Sequence, residues 1–217
     1  MNKSKLNLKL LWLAIFAIAM AFIESAVVVY LRAIFYPDGF KFPLKAITDH
    51  KIVIEVFREA ATLFMLLSVT FLAGKKRWER FAYFMFLFGV WDVFYYIWLK
   101  VLLNWPASLF DWDILFLIPV PWISPVIAPV SVSLLMIIFS ILISRSIHKG
   151  FGFNPKLLSS TLALSGITLI LYSFMHDISA TLHQQMPKPY HYDFLIIGDS
   201  LFIFAFLIAY VKRKGNS

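Results

Sequence analysis

Arg80 to Pro129 reads RFAYFMFLFGVWDVFYYIWLKVLLNWPASLFDWDILFLIPVPWISPVIAP, and this stretch decides the fold. Phe81–Leu103 is long enough, at 1.5 Å per residue, to cross about 30 Å of hydrocarbon as a helix. It carries one carboxylate at mid-length, in Trp91-Asp92, followed by Tyr95-Tyr96. A short polar and aromatic loop, Asn104–Asp113, holds Asp111-Trp112-Asp113. The apolar run then resumes but is broken by Pro119, Pro121, Pro125 and Pro129. Proline removes a backbone donor and clashes with the preceding helical turn. In lipid the freed carbonyls need partners from protein or cavity water. Ile114–Ala128 therefore reads as a re-entrant or irregular segment packed against helices, with the fourth full span following at about Pro129–Ser144.

Working outward, the pattern repeats. Leu10–Leu31, Ile52–Gly74, Leu157–Asp177 and Phe194–Val211 are each apolar and of spanning length. The basic head before Leu10 has the form of a signal peptide, but the run is long, contains Glu24 and lacks a small-residue cleavage site, so it reads as a retained span. Composition agrees. The chain is 61% apolar and 15% charged, against about 45–50% and about 25% for soluble domains. The fold class expected is an all-α integral membrane protein, a single domain of six spans over residues 1–217. Tyr36-Pro37-Asp38-Gly39 marks a tight turn between the first two spans.

The net charge of +8 does not point to nucleic acid, because the cations cluster at the ends of apolar runs. Thirteen of 20 Lys and Arg lie in the termini, in Lys75–Arg80 and in Arg145–Lys156. By the positive-inside rule both termini face the cytoplasm of an inner membrane. Eleven of the 12 acids and four of the five histidines fall on the other side or at mid-to-outer depth. The basic tail Lys212-Arg213-Lys214 closes the sixth span. With no cysteine, disulfides and thiolate metal sites are excluded.

Ionisable residues inside spans are functional candidates, because burying them in lipid is costly. Glu24, Glu59, Asp92 and Asp199 come from four different spans at mid or outer depth, and His176-Asp177 closes a fifth nearby. Two chemistries fit. Carboxylates with His176 suit Zn, Mn or Fe, which makes Glu24, Glu59 and His176 the candidate metal ligands. Alternatively Asp92 and Asp199 act as acid and base without metal, with the faces of Trp91 and Tyr95 stabilising developing positive charge. Each acid also has a plain structural reading: Glu55 and Arg58, at i,i+3, form a local pair, and Asp199 meets Ser200 or Tyr192. Trp105, Trp112, Trp122, Tyr190 and Tyr192 read as an interfacial aromatic belt. His183 and His191, either side of Pro187-Lys188-Pro189, read as solvated loop residues, with a loop metal site the alternative.

Trp91-Asp92 with Tyr95, and Asp199 before the basic tail, resemble motifs of small membrane-bound terpene cyclases. That family has Glu in place of Asp in the first motif and one more span. The resemblance implies an isoprenoid substrate and acid chemistry at Asp92. Over most of its length the chain also resembles uncharacterised bacterial multi-pass membrane proteins, through Trp91–Tyr96 and Trp112–Pro119. That resemblance implies no activity.

The function expected is a membrane enzyme whose polar cavity faces the outer leaflet. Its substrate would be apolar, lipid-like or isoprenoid, and its chemistry carboxylate acid/base or metal-assisted. Two alternatives stand beside it: a transporter or channel using the intramembrane carboxylates, with the proline-broken segment as a discontinuous helix, and a non-catalytic subunit of a larger membrane complex. Membrane lipids are the expected partners. Oligomeric state is left open.

Overall fold

The computed structural model describes residues 3–44 and 51–211. Asp49, His50 and the tail Lys212-Arg213-Lys214 lie outside the described residues. The order is α1 (Lys3–Phe35), α2 (Lys51–Ala73), α3 (Arg77–Leu103), β1 (Trp112–Phe116), β2 (Trp122–Pro125), α4 (Ile127–His148), α5 (Leu157–Met175), α6 (Ile178–Leu182) and α7 (Tyr192–Val211). Among the described residues, five helical segments are long and apolar enough to cross a membrane: Ser4–Phe35, Arg77–Leu103, Ile127–His148, Leu157–Leu182 and Tyr192–Tyr210. By length and composition these helices are consistent with a multi-pass membrane protein. α2 is not among the five; its first three turns carry Glu55, Arg58 and Glu59.

α3 is the central helix, packed on α1 and α4 with α2 resting against it, while α5 pairs with α7. Small residues set the two close crossings, as is usual between membrane helices. A Cβ built on Gly89 would lie 2.7 Å from the backbone oxygen of Ser133 on α4. Gly166 and Gly198 face each other, and a Cβ on Gly166 would lie 2.7 Å from the Gly198 oxygen. α3 ends at Asn104, which takes the left-handed conformation (φ 52°), a stop that Asn tolerates well.

The proline-rich segment differs from the irregular stretch read from the sequence. It forms an antiparallel hairpin, with Trp112 opposite Pro125, Asp113 opposite Ser124, Ile114 opposite Ile123 and Phe116 opposite Trp122. Leu115 is the extra residue at a bulge between two of these pairs. The prolines sit at the tip (Pro119, Pro121) and at the strand end (Pro125), where their missing donors interrupt little of the ladder. α4 follows almost at once and starts at Ile127, two residues before Pro129. Pro129 thus falls in the first turn, where a proline costs no intrahelical hydrogen bond. The loop before the hairpin is tied by Asp111, whose carboxylate accepts from the backbone N–H of Ala107 (2.7 Å) and Ser108 (3.2 Å). The turn at Tyr36–Gly39 forms as read, with the Gly39 N–H donating to the Tyr36 carbonyl at 2.9 Å and Gly39 at φ 109°. A short helix, α6, precedes the segment that carries His183 and His191.

Candidate functional site

Polar side chains gather where α1, α2 and the hairpin meet. Arg58, on the second turn of α2, bridges two acids. It pairs with Glu24 of α1, and its Nε donates to Glu55 Oε2 at 2.7 Å. The hydroxyl of Thr62, one turn further along α2, donates to Glu24 Oε2 at 3.2 Å. The side chain of Glu24 is thus fully engaged within the bundle.

One element away, Arg32 near the end of α1 donates to Asp113 Oδ1 of β1 at 3.0 Å. Both are buried, at 8% and 1% exposure. The guanidinium is held between rings, 4.0 Å from the centre of Phe40 and 3.8 Å from that of Trp105. A planar, weakly hydrated guanidinium suits such stacking as an ammonium would not. Burial pushes the Asp113 carboxyl up to about 6, although the Arg32 charge and hydrogen bonds pull it back.

Glu59, also buried, reaches the hairpin itself: its Oε2 accepts the backbone N–H of Leu117 at 2.9 Å. Arg58, Glu55, Arg32, Asp113 and Glu59 line one cavity of about 330 Å³. Arg32, Tyr36, Glu55, Arg58, Glu59, Tyr95, Asp113 and Thr181 form its polar wall, and residues such as Val28, Leu31, Phe35 and Leu182 the rest. Its formal charge count is two cations against three carboxylates.

A second cavity, of about 400 Å³, lies across the hairpin. Asp113, Ile114 and Leu117 line the first cavity, whereas Leu115, Phe116 and Trp122 line the second. The hairpin is the partition between them. The second cavity is walled by aromatic and aliphatic side chains, with Asp92 and Ser133 as its polar groups.

The structure separates several residues that the sequence grouped together. Asp92 Oδ2 accepts from Ser133 Oγ at 2.8 Å, and Asp199 Oδ2 from Ser131 Oγ at 3.2 Å. Two residues apart on α4, these serines leave the helix about 200° apart. The carboxylates of α3 and α7 are therefore held on opposite sides of α4, and only Asp92 lines the second cavity. Trp91 is buried among Phe88 and Phe116, as part of the main core cluster. Tyr95 lines the polar cavity and packs edge-on against Tyr96.

The candidate metal ligands are likewise dispersed. Glu24 is taken by Arg58 and Thr62, and Glu59 by the hairpin backbone. His176, just past α5, lies 3.3 Å from the Ser173 carbonyl through Nδ1, with its ring 4.7 Å from that of His191. Among the described residues, no three His, Asp or Glu side chains are placed to hold a metal ion. Glu24, Glu59 and His176 do not fit one as a set.

No family model, curated protein or solved structure matches the chain.

Sequence reasoning missed Arg32, Arg58 and Asp113 as members of the site, taking Arg58 as a local partner of Glu55. The available signal was topological. Arg32 and Arg58 lie toward the acid-rich end of their helices, against the cation bias that orients the rest of the chain. A cation placed against that bias needs a local reason, and Asp113 and Glu24 provide it.

Proposed function

We propose that the chain is an integral membrane enzyme acting on an amphiphilic, lipid-like substrate in the cavity between α1, α2 and the hairpin. What supports this reading is the cavity lining: eight polar or ionisable side chains, from α1 and the turn after it, α2, α3, β1 and α6, meet in one apolar-walled space. The apolar wall accepts a chain or ring system. Arg58 and Arg32 hold polar headgroup atoms. Glu59, anchored on the hairpin backbone, gives and takes the proton, and Tyr95 lines the same cavity. Acid/base work passes to Glu59 from the Asp92 and Asp199 pair, which the bundle keeps apart.

In this reading α2 crosses the membrane as a sixth span. Two contacts support it. Lys9 Nζ donates to the Ala73 carbonyl at 2.9 Å, and Arg58 pairs with Glu24, so α2 runs antiparallel to α1 along much of its length. Six crossings put both termini on one side, which the cation bias assigns to the cytoplasm. The hairpin and its polar cavity then open toward the outer leaflet, with Ile114–Ala128 re-entering the bilayer edge.

The test compares native mass spectra of the purified protein and of Glu59→Gln. The proposal expects a bound amphiphile of defined mass in the variant, and in the wild type the same species altered or absent. An identical lipid profile in both proteins would remove Glu59 from any chemistry. A proton or ion flux in proteoliposomes that Glu59→Gln abolishes, with no bound amphiphile, would favour a transporter instead.

A further inference from the structure

The cavity on the far side of the hairpin is not used by that reading, and its chemistry differs. Asp92 is 8% exposed, and its carboxylate is held by a neutral group, the hydroxyl of Ser133 at 2.8 Å. Among the described residues that line this cavity there is no Lys, Arg or His. A lone carboxylate in an apolar wall is costly unless it takes up a proton or a cation compensates it. The rings of Phe88, Phe116 and Trp122 line the same cavity. Phe116 lies 6.4 Å from Phe88 and 5.5 Å from Trp122 between centroids. Ring faces attract cations, above all when water is excluded, and aromatic cages of this composition bind alkylated ammonium groups.

A third cavity, of about 360 Å³, shares Phe81, Met85, Ile167 and Phe202 with this one. It extends along α3 as far as Arg77, fifteen residues before Asp92, or about 22 Å along the helix. The two cavities adjoin at these shared residues, between α3 and the α5–α7 pair, where an unbranched apolar tail would lie.

We propose that this cavity is a binding site for a lipophilic ammonium compound, with its cationic head at Asp92 within the rings of Phe88, Phe116 and Trp122 and its alkyl tail between Phe81, Met85, Ile167 and Phe202. Charge complementarity selects the occupant. A fatty alcohol fills the same volume but leaves the carboxylate uncompensated, and an alkyl sulfate sets two like charges together.

The probe is decyltrimethylammonium carrying a chain diazirine, photolysed on the full-length protein in dodecyl maltoside, with cross-links mapped by peptide mass spectrometry. Labelling is expected on α3 and α5 peptides that line the two cavities. Unlabelled decyltrimethylammonium should compete at least ten-fold better than decanol, and decyl sulfate should not compete. Asp92→Asn should weaken labelling at least ten-fold. Trp122→Leu, which keeps most of the volume, should cut the advantage of the ammonium over decanol several-fold.

Equal competition by decanol would overturn the proposal, as would undiminished labelling of Asp92→Asn. If that variant fails to fold, the wild-type competition alone decides. Because neither the probes nor the altered residues line the polar cavity, failure here leaves the enzyme reading standing, and failure of that reading leaves this one.

Discussion

Asp113 shows how burial and pairing compete at one residue. Its carboxyl, held at about 6 in the fold, would be near 3.9 in an unfolded chain. The sign follows from linkage. A group whose folded value is raised contributes stability that is complete below about pH 4 and is lost as pH rises through about 6. Thermal midpoints of the purified protein should therefore fall between those limits as pH increases, and Asp113→Asn should flatten that part of the curve. Removing the partner is harsher. Arg32→Met leaves a buried carboxylate without its cation, which typically costs about 3–5 kcal/mol. The expected readout is a clearly lowered thermal midpoint at pH 7, partly restored when Asp113→Asn is added. An additive double variant would show that the ion pair carries no coupling of its own.

At the scale of elements, helix approach and hairpin anchoring are the controlling contacts. α5 and α7 touch through backbone at Gly166 and Gly198, so a methyl group at either position meets a carbonyl or a neighbouring helix directly. Gly198→Ala should separate the pair and lower the midpoint, at a cost of about 1–3 kcal/mol in line with overpacked cores. Gly152, with nothing within 4 Å of an added Cβ, is the control and should accept Ala with little change. The hairpin is pinned to α2 through Glu59 and Leu117. In Glu59→Ala, amide hydrogen exchange at Leu117 should accelerate markedly, while exchange in the middle of α3 stays slow. Unchanged protection at Leu117 would mean that the hairpin holds its place without α2.

For the whole molecule, orientation is the open physical question, and the cysteine-free chain makes it easy to ask. Asp38→Cys and Lys149→Cys lie in exposed loops at opposite ends of the bundle. A membrane-impermeant maleimide added to intact cells should label the first and spare the second until the membrane is broken. The reverse pattern would invert the topology and turn the polar cavity toward the cytoplasm.

How much of this was legible beforehand follows from the range of the forces involved. Apolar runs of spanning length and the cation bias are local properties of composition, and from them the multi-pass helical class and the approximate helix positions follow directly. The turn at Tyr36–Gly39 rests on single-residue backbone preferences and could be read in the same way. The hairpin could not. WDILF and WISP are short, mostly apolar runs whose strand character depends on pairing with each other, and prolines that end a helix sit equally well at a hairpin tip. Nor did the spacing of acids along separate helices disclose which of them meet. Helix rotation settles that: it turns Asp92 and Asp199 to opposite sides of α4, and brings Arg32 to Asp113 across 81 residues of chain. Length and hydropathy determine that a segment crosses a bilayer, because the lipid acts on every residue in it. Which polar groups share a cavity is decided only when packing sets the azimuth of each helix, and packing is a property of the assembled bundle.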